Sequence, residues 1–259
     1  MDSFNWLKIL KELTYNVMNS IAEVRLRGAG LELGDFKHAL DVAAQSTIID
    51  RLRSIKANVN LVSEEGDAVI GSGGPIIITD PVDGTTNLAR GLRPAVTCFA
   101  VSETNLLSGI VAAVVGDLYT GEIYWAEKGK GAYFDGNPIK PSKYRKIQNA
   151  LISIDISKTP KLDRMISLLT NIRYLRMQGS SAAEICGVSS GKLDAHIDIR
   201  GSLRVTDVAA ALTILREAGG SWWVDGIIGG DKLLTRKETL ELIVASSPIL
   251  LNELISIVS

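Results

Sequence analysis

Asp80 and Asp83 stand three positions apart at the end of the run Pro75-Ile76-Ile77-Ile78-Thr79, with Pro81 and Val82 between them. Two carboxylates brought to one turn behind apolar residues repel each other and resist burial. A bound cation removes both objections. Gly84 then permits a close backbone turn, and Thr85-Thr86-Asn87 can open a short helix whose free N–H groups point outward. Such a helix start receives phosphate oxygens. Cation ligands and an anion cradle, contiguous in sequence, predict metal-assisted phosphate chemistry.

Other segments could contribute. Glu64-Glu65 follow the apolar pair Leu61-Val62 and precede Gly66, as the aspartates precede Gly84. Two glutamates before a glycine usually form a solvated turn, and only their place upstream of the double-aspartate turn argues otherwise. Mg²⁺ takes several oxygen ligands. Two aspartates, a glutamate and the Val82 carbonyl would supply such a set. Asp207 opens a helix after Leu203-Arg204-Val205-Thr206, where an aspartate ordinarily caps. Gly179-Ser180-Ser181-Ala182 also begins a helix, either as a plain cap or as N–H and hydroxyl donors for a substrate.

The elements that must carry these residues follow from periodicity. Ile76–Ile78, flanked by Gly71-Ser72-Gly73-Gly74, read as a buried strand. Leu7, Leu10, Leu13, Val17, Ile21 and Val24 predict a first helix stopped by Gly28-Ala29-Gly30. A second helix is expected from Asp41 to about Ile55, after a loop, Leu31 to Leu40, that holds Lys37 and His38. Beyond the central motif, β-rich runs at Ala95–Val101, Ser108–Val115, Leu118–Ala126 and Gly131–Phe134 predict an antiparallel sheet, with hairpin turns at Gly116-Asp117 and Asp135-Gly136.

The polar stretch Lys140–Asn149 is the expected boundary between an N-terminal α+β domain (1–145), carrying most of the ligands, and a C-terminal α/β domain (146–259), carrying Asp207. In the second half, strands are expected at Leu151–Ile156, Tyr174–Met177, Ala195–Ile199, Ser221–Val224 and Leu242–Ala245. Helices are expected at Leu162–Thr170, Ser181–Val188, Asp207–Ala218 and after Pro248. Two layered sheets, with helices between and outside them, suit this order.

The 259 residues suffice for a sizeable core. A net charge of −1 offers no basic field for nucleic acid or an anionic membrane. No apolar run approaches membrane-spanning length. The start, Met1-Asp2-Ser3-Phe4-Asn5-Trp6, does not read as a signal peptide. Cys98 and Cys186 lie in apolar contexts without a partner at ligand spacing, so buried thiols in a reducing cytoplasm are expected.

The string Asp80-Pro81-Val82-Asp83-Gly84-Thr85-Thr86-Asn87 resembles the signature of the inositol monophosphatase family, Asp-Pro-hydrophobic-Asp-Gly-Thr-x-Asn. Asp41 and Glu64-Glu65-Gly66 upstream match family elements in order and spacing. So do Gly179-Ser180-Ser181-Ala182, Asp207-Val208-Ala209-Ala210 and Glu217-Ala218-Gly219-Gly220 downstream, so that the resemblance covers nearly the whole chain. Animal-type members have Trp where this chain has Thr206. The run Asp198 to Asp207 and the short loop around Gly34 are instead similar to the archaeal and thermophilic branch, whose enzymes hydrolyse both fructose 1,6-bisphosphate and inositol 1-phosphate.

The resemblance implies an α+β fold, a layered α-β-α-β-α sandwich of the sugar phosphatase type. It implies two or three Mg²⁺ per subunit, held by Glu64, Asp80, the Val82 carbonyl, Asp83 and Asp207, with Glu65 farther out. It implies a phosphomonoesterase in which Glu64 or Thr85 orients a metal-activated water for in-line attack, with Asp41 in support. Gly84, Thr85 and Thr86 would hold phosphate oxygens. Asp198 and Gly179 to Ala182 would line the sugar or inositol. Arg173, Arg176, Arg200 and Arg204 are candidates for a second phosphate, and Lys37 a weaker candidate to reach the phosphate at the metal site. His38 and His196 have no role in that chemistry, and Trp222-Trp223 are expected to pack in or beside the last strands. A homodimer is expected from resemblance alone. Within the same family, 3′-phosphoadenosine 5′-phosphate or NADP is an alternative substrate. From another class, the chain could be a metal-binding regulatory homologue.

Overall fold

The computed structural model describes residues 5–27, 30–144, 146–160 and 162–258. Met1 to Phe4, the expected stop Gly28-Ala29, and Arg145 in the expected boundary lie outside the described residues.

The first two helices are α1 (Trp6–Arg27) and α2 (Leu33–Ser54). α2 starts well before Asp41, which corrects the expected loop. Lys37 and His38 sit on the helix, and Gly34 is in its first turn rather than in a loop. The reason is packing: Phe36 and then Leu40, Ala44, Ile48 and Leu52, spaced by four, continue one apolar stripe against α1.

The strands β1 (Val59–Ser63), β2 (Ala68–Ile70), β3 (Ile76–Asp83), β4 (Val96–Ser102), β5 (Ile110–Asp117), β6 (Ile123–Glu127), β7 (Ala132–Phe134) and β8 (Asn137–Pro138) form an eight-stranded sheet in the order β2-β1-β3-β4-β5-β6-β7-β8. β1 and β3 are parallel, and β3 to β8 run antiparallel in succession, as expected. A short helix, α3 (Thr85–Arg90), follows β3 directly. The turn expected at Gly116-Asp117 lies later, between Asp117 and Ile123, with Gly121 at φ +75°. Gly116 stays in β5, paired with Ile123. It is a glycine because a Cβ there would lie 2.1 Å from the Thr14 methyl of α1. The turn expected at Asp135-Gly136 is present, both residues at positive φ.

The second half comprises β9 (Leu151–Ile154), α4 (Leu162–Asn171), β10 (Tyr174–Arg176), α5 (Ser181–Ser189), β11 (Ala195–Arg204), α6 (Val205–Ala218), β12 (Ser221–Val224), β13 (Ile227–Ile228), β14 (Thr239–Ala245) and α7 (Pro248–Val258). Its strands form a six-stranded sheet in the order β10-β9-β11-β14-β12-β13. β11 runs past the expected end at Ile199, through a register shift after Asp198, to Arg204.

Alternation along β3 shows how the layers stack. Ile77 faces α1 and α2 together with Phe99, Val101 and Val114. Ile78, one residue on, faces the opposite side with Cys98, Ala100 and Val115, against α5 and α6. α6 is apolar nearly all round, because it lies between both sheets and meets Leu242 and Val244 on its far side. α4 and α7 cover the outer face of the second sheet through Met165, Leu168, Leu250, Leu251 and Leu254. The architecture is the expected α-β-α-β-α sandwich. Trp222 and Trp223 pack within it, on opposite faces of β12. Cys98 and Cys186 are buried, free thiols. Among the described residues no helix is long and apolar enough to cross a membrane.

Candidate active site

Parallel pairing of β1 with β3 brings Glu64 beside the double-aspartate turn, its backbone N–H donating to Thr79 O at 3.2 Å. The Glu64 turn is held by Gln45 of α2, whose Nε2 donates to Gly66 O at 2.8 Å and whose Oε1 accepts from Ser63 Oγ at 2.8 Å. Asp207 arrives from the first turn of α6. It is the third helical residue rather than the opening one, and its Oδ2 accepts from the Arg204 backbone N–H at 3.1 Å. Thr206 Oγ donates to its Oδ1 at 2.9 Å. The capping role and the site role therefore coexist in one carboxylate.

Glu64, Asp80 and Asp207 converge so that one oxygen of each lies within 4.8 Å of the others. Asp80 is only 4% exposed, and the Val82 backbone N–H donates to its Oδ1 at 2.9 Å. Burial, then Glu64 and Asp207, push its pKa well above the usual carboxylate range. Asp83 stands beside the trio. Its Oδ2 accepts from Ser180 Oγ and from Ala182 N–H, both at 2.8 Å, which ties the start of α5 to the turn. Burial, followed by Asp207, pushes Asp83 up to about 7. Asp207 rises to about 6, again chiefly through burial, with Arg204 working in the opposite direction. The donor set is all oxygen, drawn from separate segments and held together against mutual repulsion. It fits a hard divalent cation.

Thr85 Oγ donates to Val82 O at 2.9 Å and approaches Asp41 Oδ1 at 3.3 Å. Asp41 is pushed up to about 7 by burial and then by Glu65, while Lys37, one helical turn earlier, pulls it down. Gly84 sits at φ +91°, where a Cβ would meet Pro94 O at 3.0 Å and Ser180 Cβ at 3.4 Å, so the turn requires glycine. Thr85 and Thr86 open α3, a helix of only six residues.

The remaining expected residues divide. Gly179, Ser180, Ser181 and Ala182 stand at the start of α5 beside Asp83. Asp198 is fully buried and held by Arg200, which also pairs with Asp155 at 3.0 Å, so this arginine is already neutralised. Arg204 reaches into the carboxylate cluster, pairing with Glu64 and, through Nε at 3.5 Å, with Asp207. Burial works against its charge, but Asp207, Glu64 and Asp80 outweigh that and raise its pKa. Arg173 lies over the Tyr174 ring, and Arg176 lines a cavity of about 430 Å³ with Gln178, Ala183 and Lys192. None of Glu64, Asp80, Asp83 or Asp207 lines that cavity. His38 is exposed on α2, and His196 is fully buried in β11 beside Ser153 and Glu184.

Two positioning residues escaped the sequence reading. Asn87 donates through Nδ2 to Gln178 O at 2.7 Å and to Pro94 O at 2.9 Å, which fastens the loop before α5 to α3. It lies within the motif, so its position was legible although its task was not. Gln45 carries no local signal at all.

The comparisons with known proteins agree with this geometry. A model described as the inositol monophosphatase family matches residues 5–248. A fructose-1,6-bisphosphatase/inositol-1-monophosphatase from Methanothermobacter thermautotrophicus is 33% identical over 221 residues, which is 80% of this chain and 78% of that one. A protein of the same description from Archaeoglobus fulgidus is 31% identical over 255 residues, covering 95% of each chain. A solved inositol monophosphatase–fructose 1,6-bisphosphatase superposes with a TM-score of 0.72 at 30% identity, over 85% of this chain and 82% of that one.

Proposed function

The chain belongs to the inositol monophosphatase family and is a phosphatase of it, and from that premise we propose that it hydrolyses fructose 1,6-bisphosphate and inositol 1-phosphate with Mg²⁺ as cofactor. The observation that carries this reading is the meeting of Glu64, Asp80 and Asp207 within 4.8 Å around a carboxylate that is 4% exposed. Relatives named for both activities support the substrate pair.

In this reading Glu64, Asp80, Asp83, Asp207 and the Val82 carbonyl hold two or three Mg²⁺. Bound there, the ions supply an activated water and neutralise charge on the phosphate and the leaving oxygen. The protein supplies the rest. Glu64 orients the water and accepts its proton. Thr85 has one hydroxyl proton to share between Val82 O and Asp41, so it can pass a hydrogen bond towards Asp41 as that carboxyl changes protonation. The backbone N–H groups of Gly84, Thr85 and Thr86 receive phosphate oxygens, whose charge grows in the transition state. Ser180 and Ala182 fix Asp83 through its Oδ2, which leaves Oδ1 to face the ion. Gly179 to Ala182 line the sugar or inositol, with Asp198 buried behind Arg200 rather than facing it. Arg173 and Arg176 are open to a second phosphate, whereas Arg204 is engaged by Glu64 and Asp207.

A homodimer is proposed on family grounds, the cytoplasm on the two buried free thiols, and the division into 1–145 and 146–259 on the polar stretch Lys140–Asn149. Sedimentation tests the homodimer, and limited proteolysis between Lys140 and Asn149 tests the division. The function itself is tested by phosphate release from fructose 1,6-bisphosphate, inositol 1-phosphate, 3′-phosphoadenosine 5′-phosphate and NADP, with Mg²⁺ and after chelation. The first two should be turned over only with Mg²⁺. Release that persists in chelator, or that is confined to the nucleotides, would overturn the reading.

A further inference from the structure

The metal-ligand cluster already contains a cation, and it belongs to the protein. Arg204 spans two of the three converging carboxylates, meeting Glu64 through Nη2 and Asp207 through Nε. Its backbone is anchored independently of that contact. The Arg204 N–H donates to Asp207 at 3.1 Å, and the next N–H, of Val205, donates to Glu238 O at 3.0 Å. Its side chain remains 39% exposed, so the guanidinium can move without disturbing β11 or α6. Arg200, four residues earlier on the same strand, is the contrast. Its side chain is 16% exposed and fixed by Asp198, Asp155 and Ser157, an arrangement that holds rather than moves.

Glu64 and Asp207, the carboxylates that hold the guanidinium, are two of the three that come within ligand distance of one another with Asp80. Oxygens coordinating a divalent ion cannot also keep an arginine between them, since like charges a few ångströms apart in a half-buried site repel strongly. Without any cation, the same carboxylates would repel one another and splay.

We propose that Arg204 is the resident counter-ion of this site: it holds Glu64 and Asp207 together in the metal-free enzyme, competes with the divalent ion for them, and is released towards the anionic substrate when the ion binds. Metal loading thus exposes a guanidinium that can meet a phosphate not being cleaved. The inference rests on Glu64 and Asp207 being metal ligands.

The test uses Mn²⁺ alone, without substrate, titrated into the full chain while the electron paramagnetic resonance signal of the free ion is followed. Arg204→Gln, which removes the charge and retains much of the length, should bind Mn²⁺ at least about fivefold tighter than the unsubstituted protein. Arg204→Lys should restore much of the competition. In the unsubstituted protein, phenylglyoxal modification of Arg204, read by peptide mass spectrometry, should speed up at least about threefold when Mn²⁺ is added. This arm decides the matter if Arg204→Gln fails to fold. Unchanged or weaker Mn²⁺ binding in a folded Arg204→Gln overturns the proposal, as does modification that Mn²⁺ leaves unchanged or slows. If Glu64→Gln binds Mn²⁺ like the unsubstituted protein, the ligand assignment itself falls, and the proposal with it.

Discussion

Asp83 divides its work between its two oxygens. Oδ2 is occupied by Ser180 and Ala182, so only Oδ1 is free for an ion. Asp83→Asn can keep the first arrangement, its amide oxygen accepting from Ser180 and Ala182 in place of Oδ2, but it puts an NH₂ donor in place of Oδ1 and loses the charge needed for the second. Phosphate release at saturating Mg²⁺ should fall on the order of 10³-fold or more, with the far-ultraviolet circular dichroism unchanged. Near-normal turnover would remove Asp83 from the ligand set. The same carboxylates make stability depend on pH. Burial first, and neighbouring carboxylates next, raise Asp41 and Asp83 to about 7 in the folded chain, from a reference of 3.8. Burial raises Asp207 to about 6 from the same reference, with Glu64 adding and Arg204 opposing. A raised folded-state pKa means that the folded state binds more protons than the unfolded one across that interval. The contribution to stability is therefore complete below about pH 4 and is lost as the pH rises through 6 to 7. In chelator, the thermal midpoint should decline between pH 5 and pH 8, and excess Mg²⁺ should flatten that slope. A midpoint in chelator that climbs over the same interval would contradict the assigned shifts.

At the scale of elements, the site is a junction of starts and ends. β1 and β3 end at it, and α3, α5 and α6 begin at it. The clamp between two of these is Asn87, whose amide holds Gln178 O and Pro94 O. Asn87→Ala removes both hydrogen bonds and leaves two carbonyls to find other donors. It should cost about 2 kcal/mol of stability, taking about 1 kcal/mol for each bond, and should raise KM more than it lowers kcat, because the loop before α5 loses its fixed position. Denaturant unfolding and steady-state kinetics measure the two effects. The elements at this junction were legible where local signals agreed. Ile76 to Ile78 bounded by glycines, and the apolar run of α6 stopped by Gly219, could be read directly. α2 was not read to its full length, because Gly34 and an N-cap lacking a side-chain hydrogen bond at Glu32 give no start signal, and tertiary packing of Phe36 and Leu40 decides the matter. Gly116 misled for a related reason. A glycine there serves the approach of Thr14 from α1, a long-range contact with the same local appearance as a turn. The carboxylates that converge could be picked out from motif and resemblance, but the partners that aim them, Gln45 and Arg204, depend on which segments meet in space.

For the whole molecule, the cluster is a place where separate layers are joined. Glu64 and Asp80 belong to the ends of adjacent strands in the first sheet, whereas Asp207 belongs to α6, which lies between the sheets and continues from β11 of the second. Without a divalent ion, the junction confines carboxylates whose mutual repulsion opposes closure of the layers. An ion held by the same residues would pull the layers together. Binding to the folded state alone adds RT ln(1 + [L]/Kd), about 2.7 kcal/mol at a hundredfold excess over Kd. In a chain of this size that amounts to a rise of roughly 5–10 °C in the thermal midpoint. Asp80→Asn separates the two effects. Its amide oxygen can still accept the Val82 N–H that Asp80 Oδ1 accepts at 2.9 Å, while one of the repelling charges is gone. In chelator the variant should therefore melt at a higher temperature than the unsubstituted protein, and Mg²⁺ should raise its midpoint little or not at all. Differential scanning calorimetry of both proteins, with and without Mg²⁺, measures this. If Asp80→Asn is less stable in chelator and still gains the full increment from Mg²⁺, the carboxylates neither strain the metal-free fold nor hold the ion.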